Sequence, residues 1–89
     1  MAIVQLPRQF KAYIGQNDPL RISGGKVSIV IKNLVAQYPV LAPYLLTDEG
    51  GFNSFINFYK NGKDIRFLSE PDFLLENDIL EIILATAGG

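Results

Sequence analysis

Apolar positions in this chain come in short blocks, each cut off by glycine, proline or asparagine, and the period within each block changes along the sequence. Residues 2–6, with Ile3 and Val4 ahead of Pro7, predict a first strand. Phe10, Tyr13 and Ile14 follow in a segment closed by the polar break Gly15-Gln16-Asn17-Asp18-Pro19. Leu20-Arg21-Ile22 alternates apolar, basic, apolar, as a short half-buried strand does. So brief a break predicts that the two strands form an antiparallel hairpin with an irregular loop. After Ser23-Gly24-Gly25 the period lengthens. Val27, Val30, Ile31, Leu34 and Tyr38 recur at helical spacing in one apolar stripe, with Ser28, Lys32, Asn33, Ala36 and Gln37 on the other side. Ile29 falls opposite the stripe. Pro39 ends the helix, because the residue before a proline is pushed out of the α region.

Residues 40–46 predict a turn of helix against the core, and Thr47-Asp48-Glu49-Gly50-Gly51 a polar loop. The aromatic run from Phe55 to Lys60 predicts a strand. Asn61-Gly62 supplies a tight turn with positive φ, and Asp64-Ile65-Arg66-Phe67 is expected to return as the paired strand. Pro71-Asp72-Phe73-Leu74-Leu75 reads as a short helical turn, and Glu76-Asn77-Asp78 as a turn in which Asn77 takes left-handed geometry. Residues 79–85 form the last strand, with Leu80, Ile82 and Leu84 on one face and Ile79, Glu81, Ile83 and Ala85 on the other. Apolar residues on both faces mark a central strand or one with an exposed partner-binding patch. The order ββ, α, ββ, turn, β describes an α+β β-grasp: a mixed four- to five-stranded sheet with one main helix across one face. Residues 1–89 are expected to make one such domain with a flexible C-terminal tail, 86–89.

Composition narrows the chemistry. The 89 residues contain no cysteine and no histidine, which removes thiolate nucleophiles, disulfides, Cys/His zinc sites and histidine-based triads. The adjacent Asp48 and Glu49 sit in a glycine turn and make no catalytic pair, so the chain is not expected to be an enzyme. Gly24-Gly25 and Gly50-Gly51 lack the spacing and lysine of a phosphate loop. No basic stripe points to nucleic acid, no apolar run is long enough for a bilayer, and no secretory signal is visible. A cytoplasmic protein is expected. The net charge of −1 is unevenly spread. Residues 1–66 hold all eight bases against four acids, and residues 67–89 hold five acids and no base. An acidic C-terminal third beside the tail fits either steering toward a basic cleft or an ordinary solvated face.

The run Phe55-Ile56-Asn57-Phe58-Tyr59-Lys60-Asn61-Gly62-Lys63-Asp64-Ile65-Arg66-Phe67, the strand from Leu75-Glu76-Asn77-Asp78 to Leu84, and the ending Ala87-Gly88-Gly89 together resemble the MoaD/ThiS family of ubiquitin-like sulfur carriers. The likeness is greatest to the CysO-like members and is looser over residues 1–54. Two positions depart from the family pattern. The turn before the last strand is Glu76-Asn77-Asp78, and the proline common before the tail is missing from Leu84-Ala85-Thr86.

The resemblance implies that a partner similar to ubiquitin-activating enzymes adenylates the carboxylate of Gly89. Sulfide then displaces AMP to leave a thiocarboxylate, and a biosynthetic enzyme (of the cysteine/methionine, molybdopterin or thiamin type) accepts the sulfur. Gly88 and Gly89 would carry the chemistry, with Ala85, Thr86 and Ala87 keeping the tail thin enough for a narrow channel. ATP and magnesium would belong to the partner, so no cofactor and no metal are expected for this chain. Docking contacts would come from the sheet face away from the helix, drawn from Phe58, Phe67, Ile82 and Leu84. Two further roles fit the same tail: a modifier conjugated through Gly89 to lysines, and a small subunit that completes a partner's active site.

Overall fold

The computed structural model describes residues 1–16 and 19–85. Five strands form one sheet in the order β2-β1-β5-β3-β4, with β1 Ala2–Gln5, β2 Leu20–Ile22, β3 Ile56–Lys60, β4 Lys63–Asp64 and β5 Ile79–Leu84. β5 is central, parallel to β1 on one side and antiparallel to β3 on the other, and the remaining pairs are antiparallel. The sheet is therefore mixed, and the architecture is the ubiquitin-like β-grasp.

Helix α2, Val27–Gln37, lies across one face, with α1 Arg8–Ile14 and α3 Ala42–Leu45 at its side. Its stripe of Val27, Val30, Ile31 and Leu34 is buried, as the spacing predicts, and joins Val4, Leu41, Leu45, Phe58, Leu80 and Ile82 in one core. Tyr38 packs against the edge of that core, and Ile29 is exposed. The turn ahead of α2 needs glycine. Gly24 has φ +142°, and a Cβ there would lie 2.8 Å from Val30 Cγ2.

Three segments differ from the expectation. β1 and β2 do pair antiparallel, but their connection contains α1, a seven-residue helix. It starts after Pro7 and stops at Gly15, whose left-handed φ of 71° folds the chain back so that the Gln16 N–H also reaches the Lys11 carbonyl, at 3.2 Å. Phe10 and Ile14 point inward from it, an i, i+4 pair too short to announce a helix by period.

The return strand after Asn61-Gly62 lasts only through Lys63 and Asp64. There the Asp64 carboxylate accepts the Arg66 N–H at 2.9 Å, and the Arg66 guanidinium forks onto it at 3.1, 3.1 and 2.6 Å. That local clamp turns residues Ile65–Phe67 into a 3-10 turn.

Residues 71–75 do not make a helical turn. Their polar groups are used to start α2 instead, whose own N-cap residue, Lys26, contributes no side-chain bond. The Asp72 carbonyl accepts the Val27 N–H at 2.9 Å, and its carboxylate accepts the Ser28 N–H at 3.1 Å and the Ser28 hydroxyl at 3.3 Å. The Leu74 N–H closes the bridge to the Gly25 carbonyl at 3.0 Å. A residue 44 positions away thus satisfies the free N–H groups of the helix.

The start of β5 is tied down by polar groups. Asn61 (φ 51°) and Gly62 (φ 85°) form the predicted positive-φ turn, and Asn77 (φ 66°) the second. The Asn61 N–H donates to the Ile79 carbonyl, the Ile79 N–H to Asn61 Oδ1, and Asn61 Nδ2 to Asp78 Oδ1, each at 2.9 Å. Asp78 Oδ2 accepts the Leu75 N–H at 2.8 Å. The Asn61 amide, foremost, holds the Asp78 carboxyl below the usual carboxylate range, and Arg66 does the same for Asp64.

Removing the distant cap with Asp72→Ala should lower unfolding free energy by about 1 kcal/mol in urea titrations. Gly62→Val, which forces a β-branched residue into positive φ, should cost roughly 1 kcal/mol or more. Both lowered carboxyl pKa values favour the folded state above the ordinary Asp value of about 4, and that contribution is lost as pH falls through the folded values. The urea midpoint should hold steady from about pH 7 to about pH 5 and drop below about pH 4. Asp78→Ala should flatten that acid limb.

Candidate functional site

The site is built on the end of β5. Leu80 and Ile82 anchor the strand in the core, and Leu84 packs half-buried against its margin. The Ala85 N–H then donates to the Phe55 carbonyl at 2.7 Å, extending the β3–β5 ladder by one bond. Thr86, Ala87, Gly88 and Gly89, the residues expected to form the tail and its reacting end, lie outside the described residues.

Around Ala85 the surface opens into a groove of about 430 Å³. Phe10 and Tyr13 of α1, Tyr44 of α3 and Phe55 ahead of β3 supply its rings, with Leu84 and Ala85 on the strand side and Gln9 and Asn53 as polar members. The Tyr13 and Tyr44 rings stack at 4.9 Å and 22°, and Phe10 lies 5.5 Å from Tyr44 and 6.1 Å from Tyr13. Phe10 is buried as the floor, whereas Tyr13 is 47% exposed, Tyr44 40% and Phe55 57%. Hydrogen bonding with Tyr44 raises the Tyr13 pKa, so Tyr13 stays a neutral phenol at physiological pH. Sequence reading placed Phe10 and Tyr13 in one segment and Tyr44 in another, the turn of helix at 40–46. Only the fold brings them beside Ala85.

The predicted docking residues divide. Phe58 and Ile82 are opposite one another in the β3–β5 register, and both face the helix, at 6% and 2% exposure. Their assignment to the outer face is therefore corrected: they belong to the core. The alternation seen in β5 was right, but the side that carries α2 follows from its crossing direction, which local pattern does not encode. Leu84 shares their side and reaches the surface only where the helix layer ends, at the groove. Phe67 is 85% exposed on its 3-10 turn, with the Arg66 guanidinium 5.8 Å from its ring centre. By alternation, the outer sheet face carries Ile3, Ile79, Ile83, Asn57 and Tyr59 around Glu81.

The expected acidic flank of the tail is also corrected. Asp72 caps α2, Asp78 closes the turn into β5, and Glu76 pairs with the Met1 amine. These groups gather where β5 begins, roughly 17 Å of strand from where it ends. Of the acids in residues 67–89, only Glu81 lies within β5 itself. Among the described residues, no group of three or more Asp or Glu side chains is placed to hold a metal ion, and no helix is long and apolar enough to cross a membrane.

No family model matches the sequence. Sulfur carrier protein CysO of Mycobacterium tuberculosis (strain H37Rv) is 28% identical, with 97% of this chain aligned to 96% of that one. Among solved structures, the Amycolatopsis orientalis BexX/CysO complex contains a chain that superposes with a TM-score of 0.82 at 26% identity over the full length of both. The small archaeal modifier protein 1 of Methanosarcina acetivorans gives 0.83 at 26% identity over 99% of this chain and 95% of its own. The chain is similar over its whole length to CysO-like ubiquitin-like sulfur carriers. That similarity runs the whole length, so the weaker resemblance of residues 1–54 reflects divergence in sequence over a shared fold.

Truncating core and surface aromatics should separate their roles. Phe58→Ala should cost about 3–5 kcal/mol and Ile82→Ala about 2–5 kcal/mol in unfolding free energy. Phe67→Ala should leave the melting temperature within about a degree, as solvated surface positions do. Equal melting of all three variants would contradict the placement of Phe58 and Ile82.

Proposed function

We propose that this chain is a sulfur carrier that works through the carboxylate of Gly89, as a non-catalytic co-substrate of other enzymes. What carries this reading is end-to-end similarity to proteins named as sulfur carriers, on a fold whose last strand is anchored on both sides and runs out at Ala85. A Gly89 carboxylate oxygen attacks the α-phosphorus of ATP held by an activating enzyme, and pyrophosphate leaves. Sulfide attacks the resulting acyl carbon, the C–O bond to AMP breaks, and a thiocarboxylate remains. A second, accepting enzyme removes the sulfur in a biosynthetic step.

ATP and magnesium belong to the activating partner in this scheme. What this chain supplies is a preformed anchor and a tail without bulky side chains. Gly88 and Gly89, which lack Cβ atoms, can enter a channel that excludes larger residues. The absence of cysteine leaves no thiol in the chain to compete as a second acceptor. The complex recorded for the Amycolatopsis relative supports a role performed while docked on another protein. A cytoplasmic location is part of the same proposal, because the adenylation step needs ATP.

Similarity to the archaeal modifier protein favours a second reading, in which the activated Gly89 is transferred to a lysine amine and forms an isopeptide bond. The two readings share activation and part at the nucleophile.

Intact mass after incubation with an activating enzyme, ATP and a sulfide source distinguishes them. Exchange of one oxygen for sulfur on the C-terminal peptide is the expected result. Gly-Gly-lysine linkages on other proteins in place of that exchange would give the modifier reading. Deleting Gly88 and Gly89 should abolish either product while leaving the melting temperature unchanged. A deletion variant that still carried sulfur would overturn both readings.

A further inference from the structure

We infer that the aromatic groove beside Ala85 is the surface on which the activating enzyme rests while it holds the tail, and that the groove takes up an apolar, uncharged segment of that enzyme. The inference rests on the sulfur-carrier reading above, because it takes the Gly89 carboxylate as the reacting group.

Reach makes the argument. Ala85 both lines the groove and is fixed to the Phe55 carbonyl by its N–H. Gly89 is the fourth residue beyond it, and four residues of chain span at most roughly 14 Å. An enzyme that surrounds the reacting carboxylate therefore has its channel mouth within about that distance of Ala85, and its surface covers this end of the domain. A groove wall formed by Tyr13, Tyr44 and Phe55 is what it meets there.

The chemistry of that end selects the occupant. Three of the rings are substantially exposed, an arrangement a free monomer has no packing reason to keep. Tyr and Phe contribute large contact area for little lost side-chain freedom, which is why aromatic clusters dominate binding energy in protein interfaces. Among the described residues, no carboxylate lines the groove, and neither does a lysine or arginine. Asp72, Glu76 and Asp78 are spent at the opposite end of β5. The outer sheet face is a poorer fit for the same partner, because Glu81 stands at its centre with Arg21 toward the β2 edge, and a dry apolar contact would have to desolvate both.

The chain's own tyrosines provide the test. There are four: Tyr13 and Tyr44 in the groove, Tyr38 at the core edge and Tyr59 on the outer sheet face. With 3-fluorotyrosine incorporated, fluorine NMR of the full chain titrated with its ATP-loaded activating enzyme should shift or broaden Tyr13 and Tyr44 ahead of Tyr59. In parallel, Tyr44→Glu and Phe55→Ser should raise KM for the carrier in adenylation by about tenfold or more with kcat little changed. The outer-face control Ile79→Ser should leave KM as it is. Measuring variant melting temperatures first, and using two variants from different elements, keeps a folding defect from passing as a docking defect. Perturbation of Tyr59 alone, or unchanged KM for both groove variants while wild type is adenylated, would overturn the docking surface and leave the carrier reading standing. Failure of wild type itself to be adenylated would overturn the carrier reading, and the docking surface with it.

Discussion

A strand bonded on both sides cannot slip by one residue without turning every side chain to the opposite face and breaking two ladders at once. β5 is in that position, paired with β1 over three residues and with β3 over five. Its inward residues, Leu80 and Ile82, are core members that α2 covers, so burial and pairing enforce the same register. The Asn61–Ile79–Asp78 network then fixes where the strand begins. Everything the domain does with its C-terminal end depends on this constraint. Fixing the first residue of β5 and its register leaves one place where Ala85 can stand.

The two ends of the sheet are consequently unlike. At the start of β5 the main chain and side chains of Asp72, Asn77, Asp78 and Glu76 tie together the helix start, the N-terminal residue and two turns. At its finish a single backbone bond and a set of rings receive the strand. Hydrogen-bond geometry is exacting where the fold must be specified. At the groove end the surface is apolar, and such surfaces tolerate a range of complementary shapes.

How much of this was legible in the sequence depended on the range of the signal. The apolar stripe of α2, the Asn61-Gly62 turn, the left-handed Asn77 and the two-faced last strand are local patterns, and each appears where its residues placed it. α1 was missed because seven residues with two inward side chains give too little period to register. Residues 71–75 were misread because their polar groups serve a helix 44 positions earlier, a debt no window reveals. The return strand was cut short by a side chain, Asp64, that prefers its own backbone and Arg66 to the ladder. Face assignment failed for Phe58 and Ile82 because period two separates the faces without saying which is covered. The groove needed all three kinds of information, since its rings come from α1, α3 and the approach to β3.

The parallel pairing of β1 with β5 has a mechanical consequence. The chain enters the fold at the start of β1 and leaves at the finish of β5, and because the strands run the same way those points lie at opposite ends of the shared ladder. A force that draws on the C-terminal segment while the N-terminal end is held acts along the strands. It loads the β1–β5 bonds together in shear and cannot peel them apart one after another. The fold is thereby built to resist such a pull along its strongest axis.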